Sequence, residues 1–192
     1  MTFLLRFGAF CGTLSGLFIA LPGAIEAFTG ETTATSLVLG VSPALAAPLV
    51  TALHLKQPRT TLGSVGYAAN IVGLGLFGAA AYTVNIALFH LDQPTLAAPT
   101  TAVLTASALI FALGTITFAI SMIKSRVHPP IPVWTYAIAL PVFTFATRLP
   151  DSLFTSALHV VVGGALVWLA RSVYPANRPA TTSSSTITAS AA

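Results

Sequence analysis

Few side chains in this 192-residue chain are equipped for chemistry, and those few stand apart from one another among apolar neighbours. His159 is the ionisable group that lies deepest in an apolar run, about eight residues in, or roughly 12 Å at the helical rise. An imidazole at that depth can carry a proton, accept a hydrogen bond or hold a ligand, and an ionisable group inside a membrane is by default a functional candidate. The competing reading is a neutral ring hydrogen-bonded to a nearby Ser or Thr, which this sequence supplies in quantity. Ser42, Asn70 and Asn85 are the other polar side chains expected at depth, and a cavity near the bilayer midplane would be lined by Ser42, Asn70, Asn85 and His159. Otherwise Asn70 and Asn85 tie helices together by hydrogen bonds of about 1 kcal/mol each. His54, His90 and His128 fall at the ends of apolar runs, where water is expected to solvate them.

No metal and no cofactor is expected. The single cysteine, Cys11, cannot form an internal disulfide, no Cys/His spacing suggests a metal site, and no HExxH, phosphate-loop or dinucleotide fingerprint occurs. Glu26 and Glu31 lie close together at one boundary without forming an acidic cage.

The elements that carry these residues follow from the charges. Twelve charged residues leave six charge-free runs, 7–25, 32–55, 60–91, 93–123, 127–147 and 152–170, each long enough to be a membrane span. In lipid the backbone must satisfy its own hydrogen bonds, so each run is expected to be a helix. The fold class is therefore all-α, a polytopic integral membrane protein with a six-helix transmembrane bundle. The expected spans are about 4–25, 34–55, 61–89, 99–123, 131–147 and 151–172, forming one domain over 1–175. Residues 176–192, rich in Ser, Thr and Ala, are expected to form a disordered cytoplasmic tail. Composition agrees, with 55% hydrophobic and 6% charged residues. An excess of Arg over Lys with abundant Ala and Thr is the bias of a GC-rich bacterial genome.

Read alternately, Arg6, Lys56, Arg59, Lys124, Arg126, Arg171 and Arg178 gather on one side, and Glu26, Glu31, Asp92 and Asp151 on the other, with Arg148 the exception. The positive-inside bias then places the protein in the cell membrane (inner or plasma) as a multi-pass protein with both termini cytoplasmic. The net charge of +4 does not signal nucleic acid, because the cations sit singly or in pairs at helix ends. The first apolar run exceeds a signal-peptide core and lacks a clean cleavage site, so it is read as a retained helix.

Three packing features follow. Gly8, Gly12, Gly16, Ala20 and Ala24 recur every four residues along helix 1, a small-residue stripe that another helix backbone can approach closely. It serves packing inside the bundle or, on the alternative reading, a membrane-protein partner or homo-oligomer; the bilayer is the other partner. Pro22, Pro43, Pro48 and Pro141 lie inside spans and free backbone carbonyls, making Ser42-Pro43 either a broken-helix site facing helix 5 or a simple kink. The run His128-Pro129-Pro130-Ile131-Pro132 is expected to be a stiff non-helical connection. Ile19-Ala20-Leu21-Pro22 recurs as Ile138-Ala139-Leu140-Pro141, and Thr35-Ser36 as Thr155-Ser156, as a parallel repeat of hairpins would produce.

Because the interior carries so little polarity, the sequence favours a small multi-pass membrane protein acting as a helix-packing, accessory or scaffold component. The alternative is a small permease or ligand- or lipid-binding protein with its cavity near His159. A third reading, an intramembrane serine hydrolase, rests on Ser107 in helix 4 at the depth of His159 in helix 6, a plan similar in topology to the rhomboid intramembrane proteases. Thr105-Ala106-Ser107-Ala108 stands where those proteases have GxSG, and helix 2 lacks their oxyanion-stabilising His and Asn, so the largest catalytic contribution is missing.

Overall fold

The computed structural model describes residues 1–91, 96–146, 149 and 152–174. Asp92, Arg148, Asp151, Arg178 and the expected tail over 176–192 lie outside the described residues. The chain is an all-helical bundle: α1 (Thr2–Thr29), α2 (Thr33–Lys56), α3 (Thr61–Tyr82), α4 (Ala98–Ser125), α5 (Pro130–Ala146) and α6 (Leu153–Val173). Five of the six are long and apolar enough to cross a membrane, and α5 is a shorter apolar helix. Large apolar side chains such as Phe3, Phe7, Phe10, Phe28, Trp134 and Trp168 are exposed, as expected where the solvent is hydrocarbon.

Each helix packs on its neighbours in sequence and α1 closes on α6, so the six form a ring in chain order, with a lighter contact between α2 and α6 behind α1. The small-residue stripe explains how α1 enters. A Cβ on Gly12 would lie 2.6 to 2.9 Å from three atoms of Leu49, and one on Gly8 would meet the Pro48 carbonyl at 2.5 Å. Higher up, Gly16 faces the carbonyl of Gly163, and Ala20 packs against Gly163 in turn. The lower half of the stripe thus serves α2 and the upper half α6. Ala24 is exposed, and Gly23 takes the next position on the packed face, under His159.

The ring is tight at one end and loose at the other. Leu49, Leu53, Phe118, Met122, Val133, Leu169 and Val173, all fully buried, lie toward the end that carries Lys56, Arg59, Lys124, Arg126 and Arg171. From the basic end to mid-helix, Gly66, Gly73 and Gly114 let α3 and α4 touch backbone to backbone. Toward the acidic end α3 offers Gly75, Gly78, Ala79, Ala80 and Ala81, none of them buried, then a π-helical turn (Thr83–Ala87) and a 3₁₀ turn (Leu88–His90). The single helix expected over 61–89 therefore changes its winding near residue 83.

Two expectations about proline are corrected or refined. Pro130, Ile131 and Pro132 are helical, forming the first turn of α5. Backbone N–H groups in a first turn have no partner within the helix, so proline loses nothing there and its fixed φ suits the helix. In α2 the helix runs unbroken through Pro43 and Pro48. Pro43 deprives the Leu39 carbonyl of its usual donor, and the Ser42 hydroxyl donates to that carbonyl instead at 2.9 Å. The Ser42 carbonyl accepts from Ser15 on α1 at 2.8 Å, fastening the two helices.

The starts of α2 and α6, where Thr35-Ser36 and Thr155-Ser156 recur, share a local structure. Thr32 with Thr35, and Ser152 with Thr155, form the same reciprocal capping box at the starts of α2 and α6. The equivalence does not extend to packing, since Ile19 is buried and Ile138 exposed.

Candidate functional site

A cavity of about 440 Å³ opens at the acidic end, where α3 offers small residues such as Ala80 and Ala81 beside Phe77. Its wall draws on every helix: Glu26 from α1, Ser42 and Pro43 from α2, Phe77 and Ala81 from α3, Thr101 and Ala108 from α4, Phe143 and Thr144 from α5, Thr155 and His159 from α6. Asn85 joins from the π turn and Glu31 from the connection before α2. A π turn inside a helix commonly marks a functional position, because the extra residue in the turn redirects a side chain. Below lies a smaller void of about 40 Å³ that shares Ser42, Pro43, Phe77 and Phe143 with the larger one and reaches Asn70.

The four polar residues expected at depth are thus distributed over two neighbouring spaces. Ser42, Asn85 and His159 line the upper cavity, and Ser42 with Asn70 the lower. Several contacts seat His159. Gly23 leaves room for its Cβ and ring, Phe143 meets the ring edge-on at 4.7 Å, and Nδ1 lies 2.7 Å from the Thr155 carbonyl. A carbonyl can only accept, so a proton sits on Nδ1. Asn85 donates back to the Ala81 carbonyl at 2.9 Å, which leaves its amide oxygen as an acceptor. The Ser36 hydroxyl donates to the Glu31 carboxylate, holding that acid at the cavity rim. Glu26, buried although acidic, completes the acidic side of the wall.

Ser107 is placed differently. It is buried, its hydroxyl donates to the Val103 carbonyl of its own helix at 2.9 Å, and it lines neither space. The structure does not pair it with His159. Among the described residues no group of three or more His, Cys, Asp or Glu could hold a metal ion, and Cys11 is buried in α1.

Two features escaped the sequence. Tyr136 is buried beside Asn70 and Thr115, although nothing in the run around it marks it as more than a core aromatic. His128 does not meet water: it is 5% exposed, with Nε2–H donating to the Leu53 carbonyl at 3.2 Å and Nδ1 facing the Ser172 hydroxyl at 3.3 Å. Lys56 donates to the Ser172 carbonyl at 2.9 Å, and Ser121 to Gln57 at 2.8 Å. These bonds knit α2, α4, α6 and the α4–α5 connection across the basic end, below the packed core. Burial holds the His128 pKa below the usual imidazole range; the Leu53 hydrogen bond opposes this, and the Lys56 charge reinforces it. His54 is half-buried and stacked on Tyr67 at 4.4 Å.

Comparison with protein-family models, with curated proteins and with solved structures finds no match to this chain.

Proposed function

We propose that this chain is a small multi-pass protein of the cell membrane, with both termini cytoplasmic, whose activity is to bind or pass a small molecule through a cavity open to the outside. The observation that carries the reading is the void of about 440 Å³ around His159, Asn85 and Ser42. Its size falls within the range of small-molecule sites, ~300–1,000 Å³, and it has their character, mostly apolar walls with a few convergent polar groups. The packed core and polar knot at the basic end support an outward-open, inwardly sealed state, in keeping with the positive-inside bias. A purely scaffolding role draws less support, because the small-residue stripe is spent on α2 and α6 from Gly8 to Ala20.

The test is chemical access. In a Cys11→Ala background, Ser42→Cys on the cavity wall should react with a small, membrane-impermeant thiol reagent added outside intact cells, and Ser107→Cys should not. Equal protection of both positions would remove the proposed function.

A further inference from the structure

Close helix contacts divide the ring into two fused units. In one, α1 meets α2 at Gly8 and Gly12 and α6 at Gly16 and Gly163; in the other, α3 and α4 touch main chain to main chain at Gly66, Gly73 and Gly114. Across the seam between the units the neighbours are side chains. A Cβ on Gly40 of α2 would meet Ile86 and Asn85, and one on Gly78 of α3 would meet the Pro43 ring. The bonds from Ser15 to Ser42 and from Asn70 to Thr115 each stay within a unit. At the basic end hydrogen bonds cross from one unit to the other. Tyr67 of α3 pairs with Thr51 of α2 at 3.1 Å, and Ser121 of α4 donates to Gln57 at the end of α2. His128, in the connection after α4, reaches the Leu53 carbonyl of α2 and Ser172 of α6. Together these bonds close the ring beneath the cavity.

His128 is the member of that closure whose side chain titrates near neutral pH. When the buried ring is neutral, Nε2–H fills the Leu53 carbonyl. A proton taken from water then enters at Nδ1 and creates a full charge. The Ser172 hydroxyl can accept from the new Nδ1–H, because it donates to the Leu169 carbonyl at 2.7 Å, but one such bond does not replace the lost hydration. No counter-charge is at hand. The charged and titratable side chains described at this end are Arg6 of α1, His54 and Lys56 of α2, Arg59, Lys124, Arg126 and Arg171, with the phenols of Tyr67 and Tyr174; Glu26 and Glu31 lie at the other end. Lys56 is held close, since its ammonium donates to the Ser172 carbonyl. Burial, the largest influence, and the Lys56 charge disfavour the imidazolium, and the Leu53 hydrogen bond opposes them. A charged ring is relieved by swinging out to water, which releases Leu53 and Ser172 together. We propose that this closure is the inner gate of the cavity and that protonation of His128 opens it, the α3–α4 unit rocking away from α1, α2 and α6. Rocking of one helical unit against another is a general route to alternating access. The gate rests on the cavity reading above and adds what unlocks the inner end.

The test uses the full-length protein in inside-out membrane vesicles, in the Cys11→Ala background. The reporter is Met122→Cys, in the fully buried layer above His128. An impermeant thiol reagent is added at about pH 7.5 and about pH 5.5, on either side of the ordinary imidazole pKa of ~6.5. Each rate is divided by that of exposed Pro58→Cys, which cancels the loss of thiolate in acid. The normalised rate at position 122 should rise about tenfold in acid, as a gate population shifts. His128→Gln, neutral at both pH values and able to donate to the Leu53 carbonyl, should abolish the rise. Lys56→Met, which removes the neighbouring charge, should move the opening to higher pH. No rise in the unaltered His128 background overturns the proposal. So does a rise that persists in His128→Gln, or an opening that Lys56→Met leaves unmoved or lowers. Acid labelling of the buried control Ser107→Cys would show general unfolding and overturn it as well. Labelling of Ser42→Cys from outside reports on the cavity by itself, so the two readings fail separately.

Discussion

Gly16→Ala and Gly75→Ala make the same chemical change on two membrane helices and should have opposite effects. At Gly75 an added Cβ meets nothing within 4 Å, so what remains is the gain in helix propensity, up to about 1 kcal/mol in favour of the folded protein. At Gly16 the same Cβ would lie 2.5 Å from the Gly163 carbonyl oxygen, 2.8 Å from Val167 Cγ2 and 3.0 Å from the Val167 backbone nitrogen. Two of those three atoms are main chain and cannot rotate away, so α1 and α6 must part. Overpacking costs about 1–3 kcal/mol, and a backbone obstacle belongs at the upper end. The propensity gain is common to both variants and cancels, so their difference measures the clash, about 3 kcal/mol. Equilibrium unfolding in mixed micelles with increasing SDS would read it directly. A Cβ on Gly163 would in turn meet the Gly16 carbonyl. Once the helices have moved apart for one substitution the second costs less, so Gly16→Ala/Gly163→Ala should destabilise by less than the sum of its parts. Equal unfolding midpoints for Gly16→Ala and Gly75→Ala would refute the backbone contact on which the α1–α6 seam rests.

Other perturbations probe the site and its frame. His128 is held below its ordinary pKa when folded, so its contribution to stability is complete above the unfolded value of ~6.5 and declines as pH falls from there through the folded value; subtracting the profile of His128→Gln from that of wild type should isolate this decline, and coincident profiles would show that the ring is not buried. His159→Gln can still donate to the Thr155 carbonyl and should keep the wild-type unfolding midpoint; a clear fall in the midpoint would show that the ring does more for the fold than that one bond. Ser152→Ala removes one half of the capping box of α6 and should cost about 1 kcal/mol in the same SDS titration, with no change if the cap is dispensable. Cysteine at position 28 should react with an impermeant thiol reagent outside intact cells and cysteine at position 58 should not; the reverse pattern would invert the topology.

The sequence by itself determined the helices and their alternation. Twelve charges among 192 residues leave spans that can only be helical in lipid, and small residues at every fourth position of α1 mark its packing face, because both facts concern a single chain segment and its solvent. The same locality explains where sequence reasoning stopped. Whether Ser42, Asn85 and His159 surround one space depends on how the small residues of α3, such as Ala80 and Ala81, meet the other five helices, a relation between helices that no single periodicity carries. Asn70 reads as a lone polar side chain in the sequence, but in the fold it is buried, bonded to Thr115 of α4 and set beside Tyr136 of α5, 66 positions away along the chain. His128 reads as a loop residue beside prolines, yet the return of α2 and α6 to the same end of the ring surrounds it with the Leu53 carbonyl, Lys56 and Ser172. Composition and periodicity report what each helix shows to lipid. Burial, an unpaired polar atom and a cavity are properties of helices brought together, and only the tertiary structure decided them.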